Sequence, residues 1–93
     1  MDLKELLASK CRQRILKVLS ECGEIRMMKL VSKVGGRYNE VNRNLKILEA
    51  EGIITSKYPD QVRYGRVRMI VLKRESRRTQ KLLKALKELD HEN

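Results

Sequence analysis

The sequence has no tryptophan, no phenylalanine, one histidine, two cysteines and one proline in 93 residues. One histidine and two cysteines leave little for a metal centre or for Cys–His nucleophilic chemistry, so neither a metal nor another cofactor is expected. Paired carboxylates and a glycine-rich phosphate loop are also missing. Gly35-Gly36 alone is a turn signal, and an enzyme is not expected. Two cysteines cannot build a disulfide framework, which makes a reducing cytoplasm the expected location. No apolar run approaches the length of a membrane span. A membrane-surface role lacks its interfacial aromatics. The opening Met1-Asp2-Leu3-Lys4-Glu5 does not show the basic-then-apolar order of a secretory leader. One proline, five glycines and regular apolar spacing argue against disorder.

Acidic residues are scarce too. Asp and Glu total 12 against 22 Lys and Arg, a net charge of +10. In so short a chain that excess points to a polyanionic partner: duplex DNA, RNA or an anionic membrane. The length fits one domain with a modest core, which a second subunit would supplement. There is no internal repeat, linker or low-complexity stretch.

The apolar period is helical at first. Asp2 with Glu5 reads as an N-cap pair before Leu3, Leu6 and Leu7. Ser9 reads as a second cap, before Cys11, Ile15, Val18, Leu19 and Cys22, with Lys10, Arg12, Arg14 and Lys17 off that face. Gly23 is a stop signal, and Glu24-Ile25-Arg26 a short extended segment. Met27, Leu30, Val31 and Val34 form the next stripe. After the Gly35-Gly36 turn, residues 38–51 form another helix on Val41, Leu45 and Leu48, closed by Gly52. From Ile53 the period changes to two. Residues 53–58 and 65–72 read as a hairpin around a loop at 59–65, with Val67, Met69 and Val71 alternating against Arg66, Arg68 and Ile70. Helical spacing returns after the Ser76 cap, in Thr79, Leu82, Leu83, Leu86 and Leu89. The expected fold is mainly α with a small β-hairpin. Its parts are N-terminal helices at 1–23, a helix-turn-helix at 27–52, the hairpin at 53–72 and a C-terminal helix at 76–91.

Three segments carry a resemblance over nearly the whole chain. They are Ser9-Lys10-Cys11-Arg12-Gln13-Arg14-Ile15-Leu16, the stretch from Asn42 through Glu51-Gly52-Ile53-Ile54, and Arg63-Tyr64-Gly65-Arg66-Val67-Arg68. Together they resemble a winged helix-turn-helix DNA-binding domain of the ArsR type in its archaeal style. The middle segment looks like a recognition helix running into the wing, and the last looks like the wing itself. The resemblance implies a winged helix-turn-helix fold and DNA binding; a C-terminal dimerisation helix is expected from the residues themselves. Two departures stand out. ArsR metal sensors carry cysteine ligands on the recognition helix, and this chain has none there, so a metal-inducer function is not carried over. Gly36-Arg37 stands where Ser or Thr usually precedes that helix.

Read without the resemblance, the helix from Tyr38 turns Val41, Leu45 and Leu48 one way and Asn39, Asn42, Arg43 and Lys46 outward. Asn can pair bidentately with adenine and Arg with guanine, although an ordinary solvated face carries the same residues. Arg37 at the helix start suits a phosphate, or is a loop cation without a partner. Tyr38 either packs or offers its hydroxyl to backbone or phosphate. On the hairpin, Arg63, Arg66 and Arg68 suit the flanking phosphates or a minor groove; charge that protects an edge strand is the plainer reading, and Arg68 can instead pair within the sheet. Lys10, Arg12 and Arg14 read as a solvated face past which a bound backbone could run. Cys11 and Cys22 share a helix face but lie about 16 Å apart along it, too far to bridge, and read as buried free thiols, with an intersubunit disulfide or redox sensing as the alternative.

Leu82, Leu83, Leu86 and Leu89 are too apolar for a lone exposed helix. Either they fold onto the chain's own core or they meet a second copy. The second copy is favoured, with Leu3, Leu6 and Leu7 joining the interface. Two-fold symmetry would then set two recognition helices about 34 Å apart. The expected function is sequence-specific duplex binding by a homodimeric transcriptional regulator, most simply a repressor, with no small-molecule effector evident. A non-specific architectural protein and a winged-helix module for protein or RNA interaction remain as alternatives.

Overall fold

The computed structural model describes residues 1–59, 61–62 and 65–92, with residues 61–62, 65–66 and 92 described by their backbone alone. Local signals place the first elements. The Asp2 carboxylate accepts the Glu5 backbone N–H at 2.8 Å and starts α1, Leu3–Leu6. The Ser9 hydroxyl accepts the Arg12 N–H at 3.2 Å and starts α2, Lys10–Cys22. Each cap satisfies a donor that the first helical turn leaves without a partner. Gly23 ends α2 at φ +78°, a backbone region that a side chain would strain, and its N–H returns to the Leu19 carbonyl at 2.7 Å. The turn releases the chain into β1, Glu24–Arg26, and then α3, Met27–Val34. The Gly35-Gly36 turn leads to α4, Tyr38–Ala50.

Beyond α4 come β2 (Ile54–Lys57), β3 (Gln61–Val62), β4 (Gly65–Arg66), β5 (Met69–Leu72) and α5 (Arg77–Glu92). The main sheet has three strands in the order β1-β5-β2, all antiparallel. The extended segment at Glu24–Arg26 is therefore an edge strand, with Ile25 opposite Ile70. The short β3–β4 ladder carries the hairpin further into what read as its loop. The facing of β5 also differs from the expected alternation. Ile70 and Leu72 are buried while Met69 and Val71 are half-buried, because β5 is the middle strand and turns its even positions to the helices. The same parity turns Arg68 toward α4.

The core gathers Ile15, Leu16 and Leu19 of α2, Leu30 of α3, Val41, Leu45 and Leu48 of α4, and Ile53 and Ile70, all without exposed surface. Each contributes on the order of 1.5–3 kcal/mol by leaving water. Leu82 and Leu86 of α5 belong to this core, 0% and 4% exposed, and so do Leu6 of α1 and Leu7 just after it. The expectation that Leu82, Leu86 and Leu7 wait for a second copy is corrected here. α5 packs across α2 and closes the chain's own core with them. Leu3, Leu83 and Leu89 stay half-buried at its margin.

Two further corrections concern α2. Arg12 is buried, not solvated, at 8% exposure. Cys22 is exposed and only Cys11 is buried, because the helix ends at Cys22 beside the Gly23 turn. Among the described residues, no helix is long and apolar enough to cross a membrane.

Candidate nucleic-acid interface

α4 has two unlike sides. Val41, Leu45 and Leu48 anchor it without exposed surface. Arg37, Tyr38, Asn39, Arg43 and Lys46 are all exposed. At about 100° per residue, Asn39, Arg43 and Lys46 fall within one narrow stripe, with Arg37 and Tyr38 at the helix start. Tyr38, 45% exposed, does not go into the core. None of these side chains has a hydrogen-bond or ion-pair partner among the described residues. A helix so anchored offers cations and an amide, unencumbered, on a rigid support.

Asn42 departs from the expectation of a residue aimed outward. It is half-buried, and its Oδ1 accepts from Arg68 Nη1 at 2.7 Å. Arg68 also donates from Nε to the Ser56 hydroxyl at 3.2 Å, and Ser56 donates to Glu49 Oε2 at 2.9 Å. Arg68, just before β5, thus joins the base of the hairpin to α4. Arg63 lies outside the described residues, and Arg66 is described by its backbone in β4 alone.

The structure adds a buried polar brace behind the stripe. Arg12 donates from Nε to the Leu6 carbonyl at 2.9 Å, from Nη2 to the Glu5 carbonyl at 2.9 Å and from Nη1 to Asn44 Oδ1 at 2.8 Å. Asn44 donates in turn to the Glu40 carbonyl at 2.9 Å. One guanidinium therefore satisfies the last carbonyls of α1 and fixes that helix to α4. Both residues were legible in principle. Arg12 sits three, four and seven positions before Ile15, Leu16 and Leu19, and Asn44 sits within the Val41, Leu45, Leu48 stripe. A polar residue on each of two apolar stripes is the signature of a buried pair. Cys11 lies beside this brace. Burial raises its thiol pKa above the ordinary value, and the neighbouring Glu40 carboxylate adds to the shift. At the far end of α2, Arg74 donates to the Ser20 carbonyl at 2.7 Å and places a cation at the helix C-terminus.

Helices α2, α3 and α4, a glycine turn before the exposed α4, a three-stranded sheet and the short β3–β4 ladder define the architecture. The fold is a winged helix. Among solved structures it is similar to a MarR family transcriptional regulator from Silicibacter pomeroyi, with a TM-score of 0.71 and 25% identity over 96% of this chain and 55% of that one. It is also similar to NadR in complex with 4-hydroxyphenylacetate, with a TM-score of 0.74 and 21% identity over 92% of this chain and 57% of that one. A transcriptional regulator homologue from Pyrococcus horikoshii gives a TM-score of 0.70 at 15% identity, over 96% of this chain and 93% of that one. This winged helix spans little more than half the length of the first two proteins. No protein-family model and no curated protein matches the chain. The likeness expected to the ArsR type is met at the coarser level of the winged helix.

Proposed function

We propose that this winged helix reads duplex DNA in a sequence-specific manner, as a homodimer, and regulates transcription by occupying promoter DNA. The observation that carries the reading is the unencumbered stripe of Asn39, Arg43 and Lys46 on a helix whose opposite side is core. Arg37 and Tyr38 at its start suit a phosphate. Arg63 and Arg66 on the hairpin suit the flanking backbone. The regulators that the fold resembles support a role in transcription. The ArsR-like reading rests on the sequence segments at 9–16, 42–54 and 63–68.

The core leaves an apolar margin that a second copy would fill. Leu3, Leu83 and Leu89 remain half-buried, and Leu3, Leu7, Ala85 and Leu89 line a groove of about 460 Å³ between α1 and α5. A second copy would cover it. A non-specific architectural role is the second reading, favoured by the +10 charge, because phosphate contacts alone can supply affinity without sequence preference.

The two readings part at Arg43. Replacing it with Ala should weaken binding to a duplex selected from randomised DNA by about tenfold, and binding to a scrambled duplex by much less. Fluorescence anisotropy measures both. Equal affinities of Arg43→Ala and the parent for the selected duplex would remove α4 from the interface.

A further inference from the structure

Three asparagines lie on α4, and their amides differ in what they have free. Asn44 is buried with both ends used, its oxygen by Arg12 and its NH2 by the Glu40 carbonyl. Asn42 is half-buried, and its oxygen takes the Arg68 guanidinium at 2.7 Å. Asn39 is exposed, with no hydrogen-bond partner among the described residues.

An arginine only donates, so Asn42 must turn its oxygen, not its NH2, to Arg68. That bond is charge-assisted and correspondingly strong. Reading adenine bidentately requires the amide oxygen for the N6 amino group and the amide NH2 for N7. At Asn42 a base amino group would have to crowd in beside a guanidinium that already faces the same oxygen. What Asn42 offers outward is a donor. Asn39 keeps both halves of its amide. It lies four residues before Arg43 on the same stripe, and the Arg43 guanidinium has no partner among the described residues either.

We infer that Arg68 sets the base preference of α4. By holding the amide oxygen of Asn42 it restricts that residue to donating, and it leaves Asn39 as the adenine reader beside Arg43 as the guanine reader. The inference rests on the duplex recognition proposed above and adds which side chain reads which base. Arg68 acts through Asn42 and is a positioning residue. The link onward through Ser56 to Glu49 seats its guanidinium from the other side.

The test is site selection from randomised duplex DNA by the full chain and its variants, scored as base preference at each position. The parent motif should contain an adenine whose preference falls about tenfold or more in Asn39→Ala and persists in Asn42→Ala. Arg68→Met should gain a second adenine preference, and the double variant Arg68→Met with Asn42→Ala should lose it again. Asn39 is exposed, so Asn39→Ala carries the test even where Arg68→Met folds poorly. Loss of the parent adenine in Asn42→Ala instead of Asn39→Ala overturns the inference, and so does a parent motif that is unchanged in both Asn39→Ala and Arg68→Met. A parent with no preference at any position overturns the inference together with the duplex-reading proposal, whereas a parent with a motif indifferent to these variants overturns the inference alone.

Discussion

Arg12 shows how much one polar side chain organises in this protein. Its guanidinium is buried, and three of its donors reach acceptors on α1 and α4. Burying a cation costs several kcal/mol, so the site is favourable only while those acceptors are in place. Arg12→Met keeps the apolar stem and strands the Leu6 carbonyl and the Asn44 oxygen, while the Glu5 carbonyl keeps its bond from the Ala8 N–H. The expected loss is on the order of 2–4 kcal/mol, read as a lower urea midpoint with little change in slope. A variant as stable as the parent would mean that water replaces the guanidinium at no cost. Arg12 also marks where residue-scale reading of the sequence gave way. Counting only apolar residues separates the stripes at Ile15, Leu16, Leu19 and at Val41, Leu45, Leu48 from the polar pair that sits inside them. Asn42 and Arg68 were harder to read. Nothing in the spacing of α4 says that an arginine 26 residues later will take an amide oxygen. That pairing depends on which face of β5 turns inward, and both faces of the strand carry apolar residues.

The elements themselves were largely legible, because each is bounded by residues with a local mechanism. Asp2 and Ser9 cap two helices, and Gly23 ends one. The strand at Glu24–Arg26 was harder to place in a sheet, since three residues carry no periodicity and the pairing with β5 is set by the tertiary fold. α5 is the element whose role changed most. Its leucines divide into Leu82 and Leu86, which fill the core, and Leu83, turned off that face, and Leu89, a turn beyond Leu86, which remain at its edge. The two sets should answer differently to substitution. Leu82→Ala should cost about 2–5 kcal/mol of folding stability by opening a cavity. Leu83→Asp together with Leu89→Asp should leave the fold largely intact and shift the chain from dimer to monomer in sedimentation equilibrium. A dimer that survives both aspartates would move the subunit interface away from α1 and α5.

At the scale of the whole molecule, charge and shape make separate contributions. Under the proposed function, the +10 charge would draw the chain to any duplex, and counterion release would make that attraction steeply dependent on salt. In the same proposal the stripe on α4 and the brace behind it would supply what charge alone cannot, a rigid set of side chains held to face base edges. Composition announced the first contribution at once. The second emerged only when the buried side of α4 was set against its exposed side, and the hairpin residue Arg63 lies outside the described residues. The measurement that weighs these contributions most directly is duplex affinity across a salt series, for a site selected from randomised DNA and for a scrambled control. Both affinities should fall with salt, with a slope of roughly −0.9 per phosphate contacted. Sequence-specific recognition predicts that the selected site stays on the order of a hundredfold tighter or more throughout. Coincident curves for the two duplexes would contradict it and leave a protein that holds DNA by its phosphates alone.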